Sequence, residues 1–327
     1  MRAIVCETPG SLGDVKVGQL PMPEPGPGAV RVRVHAASLN FPDVLMAEGK
    51  YQYKPTPPFA LGMEAAGTVD ALGAGVSGVA VGDRVAVHPW SGCFAEYVTA
   101  PVDWLFPLPD AMDFETAAAM PLAYGTIRHA LIDRGRLQAG NTLLVLGASG
   151  GTGLAAIDAG KAWGARVIAA ASSDAKLELC RRYGADDLIN YSEGPDLRLQ
   201  VKDLTGDRGA DVIFDSVGGD YSHQAIRSIA WGGRMLVIGF AAGTIAQLPA
   251  NHILIKQIEL VGVAYQGFSR RHPQQCRSNM AEMFDLWSAG RLHPHLGGVF
   301  DMDHGVDALR AMADRKAEGK LVIRVAG

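Results

Sequence analysis

Cysteine is scarce and scattered in this chain. Cys6, Cys93, Cys180 and Cys276 stand far apart, which leaves a disulfide framework and a CxxC zinc site both unsupported. The nine histidines show no ligand spacing, and His293-x-His295 reads as loop surface. Surplus charge is lacking too. The net charge is −4 and the pI is near 6.1, so there is no electrostatic footprint for nucleic acid. Long unbroken apolar runs are missing. The uncharged stretches 137–157 and 235–255 are interrupted by glycines and by Gln, Asn and Thr, and neither reads as a membrane span. Residues 1–10 hold no apolar signal core, so a reducing cytoplasm is the expected location. No internal repeat or low-complexity segment appears.

What is present is ample core. Of 327 residues, 48% are hydrophobic and 20% charged, which suits one large or two ordinary domains. The chain is organised around Leu143-Leu144-Val145-Leu146-Gly147-Ala148-Ser149-Gly150-Gly151-Thr152-Gly153. Four apolar residues in a row suit a parallel strand buried on both faces. The glycines then allow a tight turn and close approach to a phosphate. A helix opening at about Gly151 aims free N–H groups and its positive dipole end at that point. A dinucleotide pyrophosphate is the expected occupant, against Ser149, Gly150, Gly151 and Thr152. The alternative is a plain strand-to-helix turn, because the pattern Ala148-x-Gly150-x-x-Gly153 departs from GxGxxG.

Residues 1–120 read as strands and turns. Val30-Arg31-Val32-Arg33-Val34 alternates as a half-buried strand does. Short strands with Gly-rich joints predict a small barrel or sandwich. Helix is expected at 114–120 and 124–134. From Thr142 strands are predicted at 142–147, 166–171, 187–190, 211–215, 234–239 and 259–264. Helices fall between them at 152–163, 174–183, 196–204 and 220–230. Strand–helix alternation over six strands predicts an α/β fold with a doubly wound parallel sheet. Asp174 is expected to cap the second helix. Beyond Gln266 the rhythm stops, with helices at 273–289 and 303–317 and a closing strand at 321–325.

The end of the second strand bears on cofactor choice. NAD enzymes place Asp or Glu there to hold the ribose hydroxyls. Here stand Ser172 and Ser173, with Lys176 on the next helical turn. Hydroxyls and a cation suit a 2′-phosphate, so NADPH is the expected cofactor. The bland alternative makes Lys176 a solvated lysine. Tyr191, ending the third strand, either reaches the same phosphate or is an ordinary half-buried tyrosine. Gly239-Phe240-Ala241 follows the fifth strand, where such sheets keep their ligand crevice.

The chain resembles the medium-chain dehydrogenase/reductase superfamily, in its zinc-independent quinone oxidoreductase branch, which includes zeta-crystallin. The resemblance rests on Ser38-Leu39-Asn40-Phe41-Pro42-Asp43, Gly62-Met63-Glu64-Ala65-Ala66-Gly67, Val81-Gly82-Asp83-Arg84-Val85, Pro121-Leu122-Ala123-Tyr124-Gly125-Thr126, the glycine turn, and Asp215-Ser216-Val217-Gly218. It implies a chaperonin-10-like β-barrel catalytic domain (1–120 and 266–327), a Rossmann domain (121–265) and a homodimer. It also implies that Asn40, Thr126, Val217 and 239–241 lie near the nicotinamide or its phosphates. Tyr53 would be a substrate-side aromatic, and Lys320 a cation near the adenosine phosphate. Asn40 could equally be a turn residue, Thr126 a helix cap and Tyr53 an ordinary loop tyrosine.

Zinc alcohol dehydrogenases of the superfamily have Cys where Asn40 stands and Gly-His-Glu where Gly62-Met63-Glu64 stands. Asn40 and Met63 supply neither thiolate nor imidazole, so no metal is expected. Without a Lewis acid, the implied reaction is NADPH-dependent hydride transfer to a small, already electrophilic acceptor: a quinone or an α,β-unsaturated carbonyl. Two rivals remain. One is an enoyl-thioester reductase of the acrylyl-CoA type, with Arg270 and Arg271 at a cationic entrance. The other is an NADPH-binding protein without turnover, as lens crystallin use of this branch suggests.

Overall fold

The computed structural model describes residues 1–194 and 196–325. Two compact units emerge. The first comprises Met1–Leu122, Ser269–Ser288 and the segment from Pro294 onward; the second comprises Ala123–Phe268 and Ala289–His293. The short stretch 289–293, expected with the barrel, packs in the second unit. There the His293 N–H donates to Asp158 Oδ2 at 2.7 Å, and the Arg291 guanidinium reaches the Ala162 carbonyl.

The first unit is built on a seven-stranded sheet. Its strands run in the order Leu296–Asp301, Lys320–Arg324, Ala29–Ser38, Glu64–Leu72, Arg84–Val87 and Leu105–Pro107, and Tyr97–Pro101 also pairs with Ala29–Ser38. A three-stranded sheet of Val15–Gln19, Arg2–Cys6 and Phe59–Ala60 completes it. The expected alternation holds: Val30, Val32 and Val34 are fully buried, while Arg31 turns outward to Asp70 at 2.6 Å. A period of two puts every second side chain on the core face. The helix Phe41–Ala47, missed in the sequence, starts with Pro42 in its first turn, where the absent N–H costs nothing.

The second unit holds a parallel six-stranded sheet. Its order is Asp187–Asn190, Arg166–Ala171, Thr142–Leu146, Ala210–Asp215, Ile229–Val237, Glu259–Gly262. In chain order that is 3-2-1-4-5-6, the doubly wound arrangement. The central strand is the apolar run before the glycines, and Leu143 to Leu146 are fully buried. Helices Gly151–Ala162, Asp174–Arg182, Leu197–Leu204 and Gly219–Arg227 lie between the strands.

Several expectations need correction. The helix expected at 124–134 is α-helical only over Ala123–Ile127, and Arg128–Arg134 is a π-helix. The helix expected at 220–230 ends at Arg227, because Ile229 already opens the fifth strand. The helix expected at 303–317 is a 3₁₀ turn, Met302–His304, followed by Gly305–Ala313. Helices Ala250–Lys256 and Tyr265–Arg271 were not expected. Among the described residues no helix is long and apolar enough to cross a membrane.

Candidate functional site

In the second unit the turn after the central strand is shaped by its glycines. Gly147 sits at φ +69°, and a Cβ at Gly153 would lie 2.3 Å from the Gly147 carbonyl oxygen. Only glycine permits that approach of helix to strand. Gly150 caps the twelve-residue helix Gly151–Ala162 with extended backbone, and its side carries no side-chain cap. The first-turn N–H groups of such a helix lack partners within it. Ser149, Gly150, Gly151 and Thr152 are half-buried at this end, so the four expected residues are together and accessible.

At the end of the second strand, the Lys176 ammonium donates to Ser172 Oγ at 3.2 Å. Ser173, not Asp174, is the helix N-cap, its hydroxyl accepting from the Lys176 N–H. A serine in extended backbone before the helix suits that role as well as an aspartate does. Asp174 is instead the first helical residue, exposed, and accepts from Asn190 Nδ2 at 3.0 Å. Tyr191 follows the third strand. Its N–H donates to the Ala171 carbonyl at 3.1 Å, and its ring packs on Tyr221 with centroids 4.3 Å apart.

The ends of the fourth and fifth strands are tied together. Asp215 Oδ1 accepts from the N–H groups of Val217 and Gly218 at 3.0 Å each, and Oδ2 accepts from the Ser222 hydroxyl. The Ala241 N–H donates to the Ser216 carbonyl at 3.1 Å and the Ala242 N–H to the Val217 carbonyl at 2.8 Å. Val217 and Gly239-Phe240-Ala241 therefore converge at the carboxyl ends of these strands. Asp215 is the residue that shapes this turn, and it was missed as a site residue; its position at a strand end before Gly218 was the available signal. Thr126 is 8% exposed near the end of Ala123–Ile127, so it is not a helix cap. The neighbouring Tyr124 hydroxyl donates to the buried Asp158 carboxylate at 2.7 Å.

The first unit gathers buried charge. Lys320 donates to the Leu39 carbonyl at 3.0 Å, to Asn40 Oδ1 at 2.7 Å and to Glu64 Oε1 at 2.7 Å. An ammonium has three N–H donors, and all three are occupied. This corrects the expectation that Lys320 serves an adenosine phosphate. Asn40 is changed in role as well. Its Nδ2 donates to Glu64 Oε1 at 2.8 Å and to the Ser38 carbonyl at 3.3 Å, so the amide has no donor left for a nicotinamide or an acceptor carbonyl. Asn40 is a framework residue, and it also caps Phe41–Ala47 through its backbone. Glu64 is fully buried, and its second oxygen accepts from the Leu122 N–H at 2.6 Å.

Asp43 and His88 complete this cluster. Burial pushes the Asp43 carboxyl up to about 7, although the Asn40 N–H and Lys320 oppose the shift. His88 Nδ1 donates to the Met63 carbonyl at 2.8 Å, because a carbonyl can only accept. Burial also pulls its pKa below the usual imidazole value. Met63 is fully buried in the core. Among the described residues no group of three His, Cys, Asp or Glu side chains is placed to hold a metal ion. Tyr53 lies elsewhere in this unit, half-buried, with the Arg270 guanidinium over its ring.

Comparison with known proteins shows the family. Residues 26–110 match the family described as alcohol dehydrogenase GroES-like domain, and residues 151–285 match zinc-binding dehydrogenase. Quinone oxidoreductase-like protein 2 of Rattus norvegicus is 40% identical over 295 residues, covering 90% of this chain and 84% of its own. The solved structure of a Pseudomonas syringae pv. Tomato DC3000 quinone oxidoreductase superposes with a TM-score of 0.92 at 28% identity, covering 99% of both chains. A mycobacterial protein solved complexed with NADPH superposes with a TM-score of 0.91 at 28% identity, covering 99% of this chain and 100% of its own.

Proposed function

From a chain that belongs to the medium-chain dehydrogenase/reductase superfamily, in its quinone oxidoreductase branch, we propose a zinc-independent, NADPH-dependent reductase. Its acceptor is a quinone or an α,β-unsaturated carbonyl. The observation that carries this reading is the Lys320 ammonium bonded to Asn40 and Glu64. Where zinc relatives need thiolate and imidazole, this chain offers an amide and a thioether. A cation already neutralises the one carboxylate of that set. A second cation beside that ammonium would be repelled. The residues do not fit a catalytic zinc, whatever the description of the matched family.

The residues do fit a dinucleotide. NADPH supplies a hydride when bound, and the protein's share is binding and orientation. The turn Ser149, Gly150, Gly151 and Thr152 would hold the pyrophosphate at a helix N-terminus. Ser172, Ser173 and Lys176 would hold the 2′-phosphate. Asp174 accepts from Asn190 Nδ2 rather than pairing with Lys176. The turn at Val217 and Gly239-Phe240-Ala241 would support the nicotinamide end. An acceptor that is already electrophilic needs no Lewis acid to take the hydride.

We also infer a homodimer. Glu259–Gly262 is the last strand of its sheet, with Leu260 exposed, and an open strand edge invites pairing across a two-fold axis. Light scattering should give twice the chain mass; a monomer at micromolar concentration would refute this.

The reading is tested by following NADPH oxidation with quinones, enones and enoyl thioesters, before and after exhaustive chelation. Turnover that survives chelation is expected, with quinones or enones as the better acceptors. Loss of activity together with a stoichiometric zinc would overturn it. Binding of NADPH with no acceptor reduced would mean a protein without turnover.

A further inference from the structure

Arg270 is an exposed cation held by aromatic rings rather than by a carboxylate. Its Cζ lies 5.4 Å from the centroid of Tyr53 and 5.7 Å from that of Trp90. Among the described residues its guanidinium makes no ion pair. Ring faces attract a guanidinium without neutralising it, so its five donors stay available. Three further observations fall on Trp90. The residue is 1% exposed. Its backbone sits at φ +79°, a conformation bulky side chains rarely adopt and one that collects at ligand sites. Its indole N–H is buried without an acceptor, which a purely structural tryptophan would avoid. The His88 ring packs against it, with centroids 4.0 Å apart and the planes tilted by 51°.

We propose that Arg270, Trp90 and Tyr53 form the acceptor subsite, and that it selects acceptors carrying an oxyanion beside the reducible group. The proposal rests on the reductase reading and narrows its substrate class. Arg270 would pair with the oxyanion through its planar fork, and the Trp90 N–H would find an oxygen acceptor. Tyr53, between solvent and the core, would stack on a flat acceptor. The oxyanion belongs either to the reducible molecule itself, as a carboxylate or sulfonate, or to the phosphates of a coenzyme A thioester.

The test compares two pairs of acceptors that differ in charge. One pair is a naphthoquinone sulfonate and its unsubstituted parent; the other is crotonyl-CoA and crotonyl-pantetheine. The expected kcat/KM ratio of charged to neutral acceptor is about tenfold or more in at least one pair, the size of a charge-assisted hydrogen bond. In Arg270→Gln that ratio should fall towards one, and in Arg270→Lys part of it should remain. The pair that shows the preference identifies the source of the oxyanion. A wild-type ratio near one in both pairs, or a ratio unchanged in Arg270→Gln, overturns the subsite. If no acceptor is reduced, the reductase reading fails separately. The subsite is then decided by tryptophan fluorescence, titrating with a naphthalenesulfonate and with neutral naphthalene. Sulfonate should bind more tightly to the wild type, with the advantage lost in Arg270→Gln and reduced in Trp90→Phe. Equal affinities overturn it.

Discussion

The two units treat charge in opposite ways. In the first, Lys320 and Glu64 lie 6% and 0% exposed, and every donor of the ammonium already has a partner. In the second, Lys176 is half-buried and gives one bond, to Ser172. A buried, fully paired charge holds strands and loops in one arrangement. An accessible charge with donors to spare can take a ligand. Both lysines are expected from the sequence beside a phosphate, yet only Lys176 keeps donors to bind one.

The sharpest break of this contrast is Lys320→Met. Glu64 would then keep its contacts to Asn40 and Leu122 but lose its cation. Removing one partner of a buried pair costs about 3–5 kcal/mol, so the thermal midpoint should fall steeply. Adding Glu64→Gln to that variant should restore part of the loss, since the charge left unpaired is gone. A Lys320→Met protein as stable as the wild type would show that the cluster is not the first unit's internal brace.

Asp43 sharpens the same point through pH. Its carboxyl ionises at about 7 when folded, against an ordinary value of 3.8. The folded chain thus keeps a proton that the unfolded chain releases. The stabilisation from this proton is full below about pH 4 and is lost as pH rises to about 7, at roughly 1.4 kcal/mol per unit. Asp43→Asn imitates the protonated group and should flatten that part of the profile. Denaturant midpoints across this range provide the measurement. Equal slopes in the two proteins would assign the pH dependence to other groups.

What could be read in the sequence was local. The glycine turn, the six alternating strands and the valines at 30, 32 and 34 each depend on neighbours a few residues away. So does the pairing of Ser172 with Lys176, one helical turn apart. What escaped was non-local. Lys320 meets Glu64 across 256 positions, and no spacing rule reaches that far, so it passed for a phosphate ligand. Asn40 likewise reads as a free amide until the closing strand brings Lys320 beside it. Short helices escaped for another reason. Ala250–Lys256 leaves Leu254 80% and Ile255 63% exposed, so it has no buried apolar stripe to reveal it. Asp174 is expected as the cap where Ser173 takes the role, because both residue types cap helices well.

Gly153→Ala probes the ligand side of the comparison. The new methyl would press on the Gly147 carbonyl and on Ala148 backbone, which cannot yield as a flexible side chain can. Overpacking of this kind costs about 1–3 kcal/mol. The displaced turn should weaken NADPH and NADH alike by about ten- to a hundred-fold. Unchanged binding of both, measured by titration calorimetry, would remove the turn from the pyrophosphate site.

Lys176→Ala should give the smallest and most selective effect. A 2′-phosphate carries close to two negative charges and three acceptor oxygens, by analogy with phosphorylated side chains. Ser172, Ser173 and Lys176 meet at the end of the second strand, and Lys176 keeps donors beyond the one given to Ser172. A hydrogen bond to a charged group contributes about 1.5–3 kcal/mol. Half-exposure puts Lys176 at the lower end, so NADPH affinity should fall about tenfold. NADH has no phosphate there and should bind as before. Gly153→Ala strikes both cofactors, whereas this change should strike one. Added salt should shrink the difference, because an accessible ion pair is screened over about 10 Å at 0.1 M ionic strength. If Lys176→Ala weakens both cofactors equally, or neither, the lysine is a solvated surface group. Asp174 would then be the residue to test against an NAD ribose.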